Sequence, residues 1–208
     1  MKFYDISYTL SNNTPIYPGN PDFNIERFLE IPKDQSNVSL VSFGTHTATH
    51  IDAPFHVNNE GQTIDKINIE RFFGKCNVLD ISFSKNKITR EDLEKYEIKN
   101  DFLLIKTNNS NIGFDEFHED FIYLDLSAAE YIKEKGIKFI GVDGPSVKKF
   151  HEKDLIHEFF FKNDIIIAEN LKLKDVSEGE YLFVGFPLKI AGADASPARI
   201  ILVENYYE

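Results

Sequence analysis

Residues 76–81 read Cys-Asn-Val-Leu-Asp-Ile, and three further runs of the same kind follow along the chain. They are Phe-Leu-Leu-Ile-Lys at 102–106, Lys-Phe-Ile-Gly-Val at 138–142 and Asp-Ile-Ile-Ile-Ala at 164–168. Short runs that are rich in apolar and β-branched side chains are typical of strands buried on both faces. These four runs therefore predict the central strands of a sheet.

Signals for helices lie between these runs. Thr89-x-x-Asp92 and Ser127-x-x-Glu130 have the spacing of capping boxes, and Gly136 stands where a helix would end. Strands that alternate with helices predict an α/β architecture. Both ends of the chain instead carry β-like runs with Pro and Gly and little helical periodicity. We therefore expect a mixed sheet and not a purely parallel one.

Length and composition limit the class of protein. The 208 residues fit a single domain over 1–208, and a hydrophobic share of 42% with 19 Phe provides enough apolar surface for a core. The formal net charge of −11 disfavours nucleic acid and anionic membranes as partners, because both require a basic face. No stretch approaches the roughly 20 apolar residues that span a bilayer.

The first residues of the chain lack the apolar core of a secretion signal, so we expect a cytoplasmic protein. The single cysteine, Cys76, excludes an internal disulfide and any Cys-rich zinc site. A metal site in this chain would therefore depend on histidines and carboxylates.

Three of the six histidines fall within residues 46–56, which read His-Thr-Ala-Thr-His-Ile-Asp-Ala-Pro-Phe-His. Imidazole and carboxylate together suit zinc, manganese or iron(II). The β-branched residues and Pro54 disfavour a long helix, so a turn or a short hook would have to direct the ligands to one ion. The alternative is a polar loop whose histidines hydrogen-bond to backbone or water. The density of histidines favours the metal site.

The pattern His46-x-x-Thr49-His50-x-Asp52-Ala53-Pro54-x-His56 resembles the signature of the cyclase family of metal hydrolases. That family includes bacterial kynurenine formamidases and isatin hydrolases. Its pattern usually has glycine where this chain has Ala48, a small departure if φ is negative there. Further blocks that are similar to the family lie at residues 5–7, 17–19, 127–130, 141–146 and 196–199.

The resemblance implies a compact β/β/α fold of the swivelling type and, because family members are commonly dimers or tetramers, a homo-oligomer. It also implies a two-metal centre, with Zn²⁺ or Mn²⁺ as the ion. The first ion would be held by His46, His50 and Asp52. The second would be held by Asp52 together with His157 and Glu169.

The sequence around the second set of ligands is consistent with this implication. His157 begins an apolar, helical run, and Glu169 ends a strand that contains three isoleucines. A carboxylate at the end of a buried strand needs a partner. A metal ion is one such partner, and an Arg or Lys side chain is the alternative.

Two further residues take roles by resemblance. His56 matches a general acid/base of the formamidases, and the alternative is a third imidazole ligand. Tyr17 would supply an aromatic wall for a flat substrate, and the alternative is an ordinary Tyr-Pro turn contact. His118 and His151 stand in acidic, polar surroundings, so we expect both on the surface.

The leading functional hypothesis is hydrolysis of a small-molecule amide, an aryl formamide such as N-formylkynurenine. The residues themselves support metal-assisted hydrolysis, and the family resemblance supplies the substrate. A close alternative is hydrolysis of a cyclic amide or lactone by the same ligand set. A third hypothesis, from another class, is a metal-binding protein without turnover. His56 distinguishes the two hydrolase hypotheses from the third, because a non-catalytic site has no need of an uncoordinated imidazole beside the metal.

Overall fold

The computed structural model describes residues 1–153 and 155–205. Its strands are β1 (Lys2–Asp5), β2 (Asn24–Leu29), β3 (Val38–Ser42), β4 (His50–Asp52), β5 (Phe73–Asp80), β6 (Lys87–Ile88), β7 (Phe102–Lys106), β8 (Tyr123–Leu124), β9 (Phe139–Val142), β10 (Ile166–Glu169), β11 (Gly179–Pro187) and β12 (Ala195–Glu204). Its α-helices are α1 (Arg90–Leu93), α2 (Leu126–Glu134) and α3 (Ile156–Lys162), and short 3₁₀ turns lie at Pro54–His56, Ile64–Lys66, Ile69–Phe72 and Asn108–Asn111.

A mixed sheet organises the fold. Its strands follow the order β12-β11-β5-β7-β9-β10-β4, and β4 pairs again with β12, which closes the sheet into a barrel-like ring. The four runs predicted as central strands are β5, β7, β9 and β10, and neighbouring members of this set pair in parallel. The remaining pairings in the sheet, including that of β1 with β12, are antiparallel. The prediction of an α/β fold with a mixed sheet is therefore confirmed.

Alternate side chains of the central strands enter two different cores. In β7, Phe102 and Leu104 join the cluster that receives side chains from all round the ring. Leu103 and Ile105 join a second cluster, which includes residues of α1, α2 and α3. This two-residue alternation explains why residues 102–105 of the strand are all apolar, because both of its faces are covered.

The structure confirms two of the three helix boundaries predicted from the sequence. The capping box of Thr89 and Asp92 is present at the start of α1, and Gly136 follows α2 with φ +75°, as expected for a helix stop. The prediction of a cap at Ser127 was wrong. Asp125 caps α2 instead, because its Oδ1 accepts a hydrogen bond of 3.1 Å from the Ala128 amide. No helix among the described residues is long and apolar enough to cross a membrane.

Candidate metal centre

The candidate metal centre is built on β4, which pairs with β10 along one edge and with β12 along the other. This register sets Glu169 opposite His50 and Ala195 opposite Asp52. Ile51, between the two polar residues, is fully buried in the cluster inside the ring. Because successive side chains of a strand point to opposite faces, His50 and Asp52 point outward, toward the layer that contains α3.

The turn before β4 orients His50. Ala48 has φ +53°, so the condition under which alanine replaces glycine without strain, a negative φ, is not met. This backbone conformation turns the carbonyl of Ala48 toward the His50 ring, and His50 Nδ1 donates to it at 2.7 Å. The Asn170 side-chain amide donates to the same carbonyl at 3.2 Å. With its Nδ1 hydrogen used in this way, a neutral His50 presents the Nε2 lone pair to the centre.

The first predicted ligand set comes together around one oxygen of Asp52. His46 Nδ1 lies 2.9 Å from Asp52 Oδ1, and His50 Nε2 lies 3.2 Å from the same atom. Asp52 is fully buried and His50 is 1% exposed. The turn and the short strand therefore direct all three side chains to one point, as the sequence analysis required.

The second predicted set lies on the other side of Asp52. His157, from α3, places Nε2 3.5 Å from Asp52 Oδ2 and 3.1 Å from Glu169 Oε1. Glu169 Oε2 lies 3.4 Å from His50 Nε2, and Glu169 Oε1 accepts a 2.7 Å hydrogen bond from the Val147 amide. Within the described residues, the contacts of this carboxylate are thus imidazoles and an amide, and not the Arg or Lys of the alternative interpretation.

Burial and opposite charges determine the protonation of the centre. Burial opposes the charged form of His50, but Asp52 and Glu169 outweigh it and raise the pKa of His50 to about 10. Burial also opposes ionisation of Asp52, yet the surrounding imidazoles hold its pKa well below the usual range. Burial and the charge of Asp52 both oppose ionisation of Glu169, and the neighbouring imidazoles of His157 and His50 nevertheless lower its pKa to about 2. The carboxylates are therefore ionised, and a cation that binds here displaces imidazole protons.

The residues fit divalent metal ions. Among the described residues, His50 Nε2 and both carboxylate oxygens of Asp52 are buried without a hydrogen-bond partner, an unfavourable situation that a cation relieves. His46, His50 and Asp52 can each offer a ligand atom within 4.8 Å of the others, and so can Asp52, His157 and Glu169. Nitrogen and carboxylate ligands of this kind suit Zn²⁺ and Mn²⁺.

A cavity of about 270 Å³ opens beside the centre. His46, His56, His157 and Glu169 contribute to its lining, which connects it to the candidate ligands. The other lining residues are largely aromatic and polar: Tyr8, Pro15, Tyr17, Asn20, Asn109, Ile112, Gly113, Phe114, Glu116, Phe117, His118, Phe121, Asp143, Pro145, Ser146, Lys148 and Asn170.

Two sequence predictions concern residues near this cavity. Tyr17 lies in the cavity wall, where its ring contacts Phe117 and Phe150 edge-on at centroid distances of 5.0 and 5.4 Å. His118 was expected on the surface; it is partly exposed and lines the same cavity. His151 is exposed, as predicted.

His56 stands at the edge of the centre. Pro54 begins a single 3₁₀ turn that ends at His56, and this turn brings the His56 ring to a centroid distance of 4.1 Å from His46 and 5.4 Å from His157. Burial lowers the pKa of His56, and the charge of Asp52 does not reverse the shift. The imidazole is therefore neutral at pH 7 and able to accept a proton.

Asp194 was not among the site residues predicted from the sequence. Its Oδ2 lies 2.8 Å from His46 Nε2 and 3.4 Å from His56 Nδ1. Asp194 directly precedes β12, and its carbonyl accepts a 2.9 Å hydrogen bond from the Ala53 amide, which holds the two segments together. The only signal in the sequence is an acidic residue among small ones at Ala191–Ala195, and that signal does not reveal the contact.

Comparison with protein families agrees with this fold and site. The model of the cyclase family, described as "Putative cyclase", matches residues 4–149. The chain therefore belongs to the cyclase family. Among its relatives, the kynurenine formamidase of Bacillus cereus (strain ATCC 10987 / NRS 248) is 35% identical over 205 residues, which cover 97% of each chain. The kynurenine formamidase of Bacillus anthracis is 34% identical over 203 residues, with the same coverage.

Solved structures share the fold. One, described as "The Structure Of Potential Metal-Dependent Hydrolase With Cyclase Activity", has a TM-score of 0.85 at 35% identity and covers 97% of this chain and 96% of its own. An isatin hydrolase bound to the product analogue thioisatinate has a TM-score of 0.84 at 20% identity, covering 97% of this chain and 91% of its own. At this low identity, the similarity to the isatin hydrolase supports the fold alone.

Proposed function

We propose that this protein is a metal-dependent hydrolase that cleaves the amide bond of an aryl formamide, with N-formylkynurenine as the substrate. The observation that carries the proposal is a buried cluster of histidines and carboxylates that lies beside an aromatic cavity. Relatives named kynurenine formamidase, at about one-third identity over nearly the whole chain, support the choice of substrate.

The cavity suits a flat, aromatic molecule. Tyr8 stacks on Phe114 at a centroid distance of 3.8 Å and an interplanar angle of 11°. Tyr17 and Phe117 meet edge to face at 5.0 Å in another part of the lining. Aromatic side chains of this kind contact a substrate ring over a large apolar area. The aryl group would lie among these rings and bring its formyl group to the histidine cluster.

His46, His50 and Asp52 would hold one ion, and Asp52, His157 and Glu169 would hold or share a second. A divalent ion bound there would lower the pKa of a coordinated water and polarise a carbonyl oxygen. The two carboxylates would balance the ionic charge, and the Val147 amide, which donates to Glu169, would keep that carboxylate oriented.

His56 would move the protons of the reaction. In hydrolysis, the oxygen of water forms a bond to the formyl carbon and the bond from that carbon to nitrogen breaks, which yields an arylamine and formic acid, and the acid releases its proton to solvent as formate. One water proton has to leave the nucleophile, and one proton has to reach the departing nitrogen. A neutral imidazole beside the ligands can accept the first proton and donate it to the nitrogen.

Zinc is the ion that we propose, with two ions per chain. The ligand atoms support this proposal because two sets, each able to hold one ion, share the carboxylate of Asp52. Elemental analysis of protein purified without added metal or chelator tests the identity and number of the ions. If the analysis finds one ion per chain, the site would hold a single metal. If it finds manganese in place of zinc, the identity of the ion would change and the proposed ligands would stay the same.

Hydrolysis of N-formylkynurenine by the purified protein tests the substrate. We expect release of kynurenine and formate in equal amounts. Isatin is assayed in parallel as a cyclic amide. If the protein hydrolyses isatin and not N-formylkynurenine, the proposed substrate would become a cyclic amide, and the protein would still be a hydrolase. Stably bound metal without turnover of either compound would favour the non-catalytic metal-binding protein.

We also propose that the protein is a homo-oligomer. The hairpin of β2 and β3 pairs with no other strand among the described residues, and it exposes apolar side chains such as Phe28 (68%) and Leu40 (53%). Exposed apolar patches of this kind are typical of protein interfaces. Light scattering after size-exclusion chromatography should give a dimer or tetramer, and Phe28→Glu should dissociate it. Ile69→Glu, at a residue that is 66% exposed outside the hairpin, is the control.

The cytoplasmic location stays a prediction.

A further inference from the structure

One carboxylate contacts both the first candidate ligand and the candidate acid/base. Asp194 Oδ2 lies 2.8 Å from Nε2 of His46 and 3.4 Å from Nδ1 of His56. Its other oxygen, Oδ1, accepts a 2.8 Å hydrogen bond from the Thr45 hydroxyl. Both oxygens of Asp194 are therefore engaged, and the side chain has a fixed orientation between the two rings.

An ionised carboxylate can only accept hydrogen bonds, so its imidazole partners must donate. Asp194 is partly exposed, and an aspartate carboxylate of this kind is ionised at neutral pH. On His46, the hydrogen is then on Nε2, and the lone pair of a neutral ring is on Nδ1, the nitrogen that lies 2.9 Å from Asp52 Oδ1. On His56, the hydrogen is on Nδ1, and the lone pair is on Nε2.

We propose that Asp194 is a positioning residue, which fixes His46 as the tautomer that binds metal through Nδ1 and His56 as the tautomer that accepts a proton at Nε2. This inference rests on the proposed function for the role of His56, and on the proposed ligand set for His46. It assigns to a single carboxylate the tautomers of two rings that perform different tasks.

The position of Asp194 separates this role from substrate binding. Asp194 does not belong to the set of residues that line the cavity. Its backbone is held independently of its side chain, because the Asp194 carbonyl accepts from the Ala53 amide at 2.9 Å. A change confined to the side chain should therefore leave the fold and the cavity wall in place.

Asp194→Asn tests the proposal, because the amide is similar in shape but carries a donor and no charge. Asp5→Asn is the matched control, since Asp5 is an exposed acid whose partner is Arg199 at 2.6 Å. Asp194→Glu restores the carboxylate. Three quantities are measured on each protein: zinc affinity by competition with a chromophoric chelator, the ¹⁵N shifts of labelled histidines in the zinc-loaded protein, and kcat and KM for N-formylkynurenine.

We expect Asp194→Asn to lower zinc affinity and kcat each by about 10- to 100-fold, the range found for partners of metal-bound histidines. KM should change little, and the ¹⁵N shifts should show that His56 no longer carries its hydrogen solely on Nδ1. Asp194→Glu should recover part of the loss, and Asp5→Asn should match the wild type.

Unchanged ¹⁵N shifts and zinc affinity in Asp194→Asn would overturn the inference, whatever the activity. A rise in KM at constant kcat would also overturn it, because Asp194 would then act on substrate binding. The inference and the proposed function fail in distinguishable ways. If the wild-type protein does not hydrolyse N-formylkynurenine, the proposed function fails, and zinc affinity and the ¹⁵N shifts still decide the role of Asp194.

Discussion

His50 and Glu169 are far apart in the sequence but lie opposite each other in the ladder of β4 and β10, with His50 Nε2 3.4 Å from Glu169 Oε2. Glu169 also contacts His157, from α3, at 3.1 Å. The candidate ligands therefore come from both halves of the chain and meet only when β4 has joined the sheet. Metal binding at such a site is coupled to folding, because the unfolded chain does not contain it.

Asp52 is the residue on which both ligand sets depend, because its two oxygens face His46 and His50 on one side and His157 on the other. Asp52→Asn removes the charge that both ions would share. We expect it to lose most of the bound metal and all measurable turnover. Elemental analysis after dialysis measures the first quantity. His151→Ala, which removes an exposed histidine, should retain full metal content. Full metal content in Asp52→Asn would contradict the ligand assignment.

His56→Ala should separate catalysis from metal binding. General acid/base groups contribute about 10²–10⁴-fold to rate, so kcat should fall by that factor. Metal content should stay at the wild-type value, because in the proposed centre His56 is not a ligand. Loss of metal together with activity would instead support the alternative in which His56 is a third imidazole ligand.

Ala48 provides a test of the backbone of the turn. With φ +53°, alanine carries a strain of about 1–2 kcal/mol, which glycine relieves. Against this gain, glycine loses roughly 0.4–1 kcal/mol through the entropy of the unfolded chain and up to about 0.8 kcal/mol of buried methyl contact. Ala48→Gly should therefore change the free energy of unfolding by less than about 2 kcal/mol in either direction.

The β-branched variant Ala48→Val should behave differently, since a β-branched residue at positive φ is a genuine outlier. We expect it to lower stability by more than about 2 kcal/mol and to reduce metal content, because the Ala48 carbonyl orients His50. Denaturant unfolding measures both variants. Equal stability of the Val and Gly variants would show that the turn tolerates another conformation.

Tyr17 should act on substrate binding through its ring. Aromatic contacts contribute about 0.5–1.5 kcal/mol beyond burial, so Tyr17→Ala should raise KM by roughly 2- to 12-fold with a smaller effect on kcat. Tyr17→Phe retains the ring and should keep KM close to the wild-type value. Steady-state kinetics measure both. If Tyr17→Phe were as impaired as Tyr17→Ala, the hydroxyl and not the ring would bind the substrate.

Metal affinity should increase with pH. In the metal-free protein the pKa of His50 is raised to about 10, so at neutral pH the imidazole holds a proton that an ion must displace. For each proton displaced, the apparent affinity should rise about tenfold per pH unit as the pH increases, and fall by the same factor on acidification. Competition with a chromophoric chelator between about pH 6 and 8 measures the slope. A flat profile would contradict the displacement of protons by the ion.

Much of the fold and of the candidate ligand set could be predicted from the sequence. Residues 102–105 are apolar at every position because they are covered on both faces, so runs of this kind are visible without a structure. The segment 46–56 is equally visible, because its histidines and Asp52 are close in sequence. His157 and Glu169 could be assigned only by resemblance, since their meeting depends on the pairing of β10 with β4.

Other features could not be predicted because they depend on long-range geometry or on local competition. Asp194 reaches His46 only because β12 pairs with β4 and closes the ring. The left-handed backbone at Ala48 has no signal in a residue that favours negative φ. At α2, Ser127 and Asp125 are both good capping residues, and the sequence alone does not show that the carboxylate takes the position.

In the proposed function, this chain hydrolyses an aryl formamide at a centre that depends on bound metal. The most direct test is the metal content per chain, measured on the same sample as the hydrolysis of N-formylkynurenine, before and after removal of metal and after its return. We predict close to two ions per chain and turnover that is lost with the metal and restored with it. Turnover that persists after the metal has been removed completely, or a chain that binds no ion even when metal is supplied, would contradict a metal-dependent hydrolase.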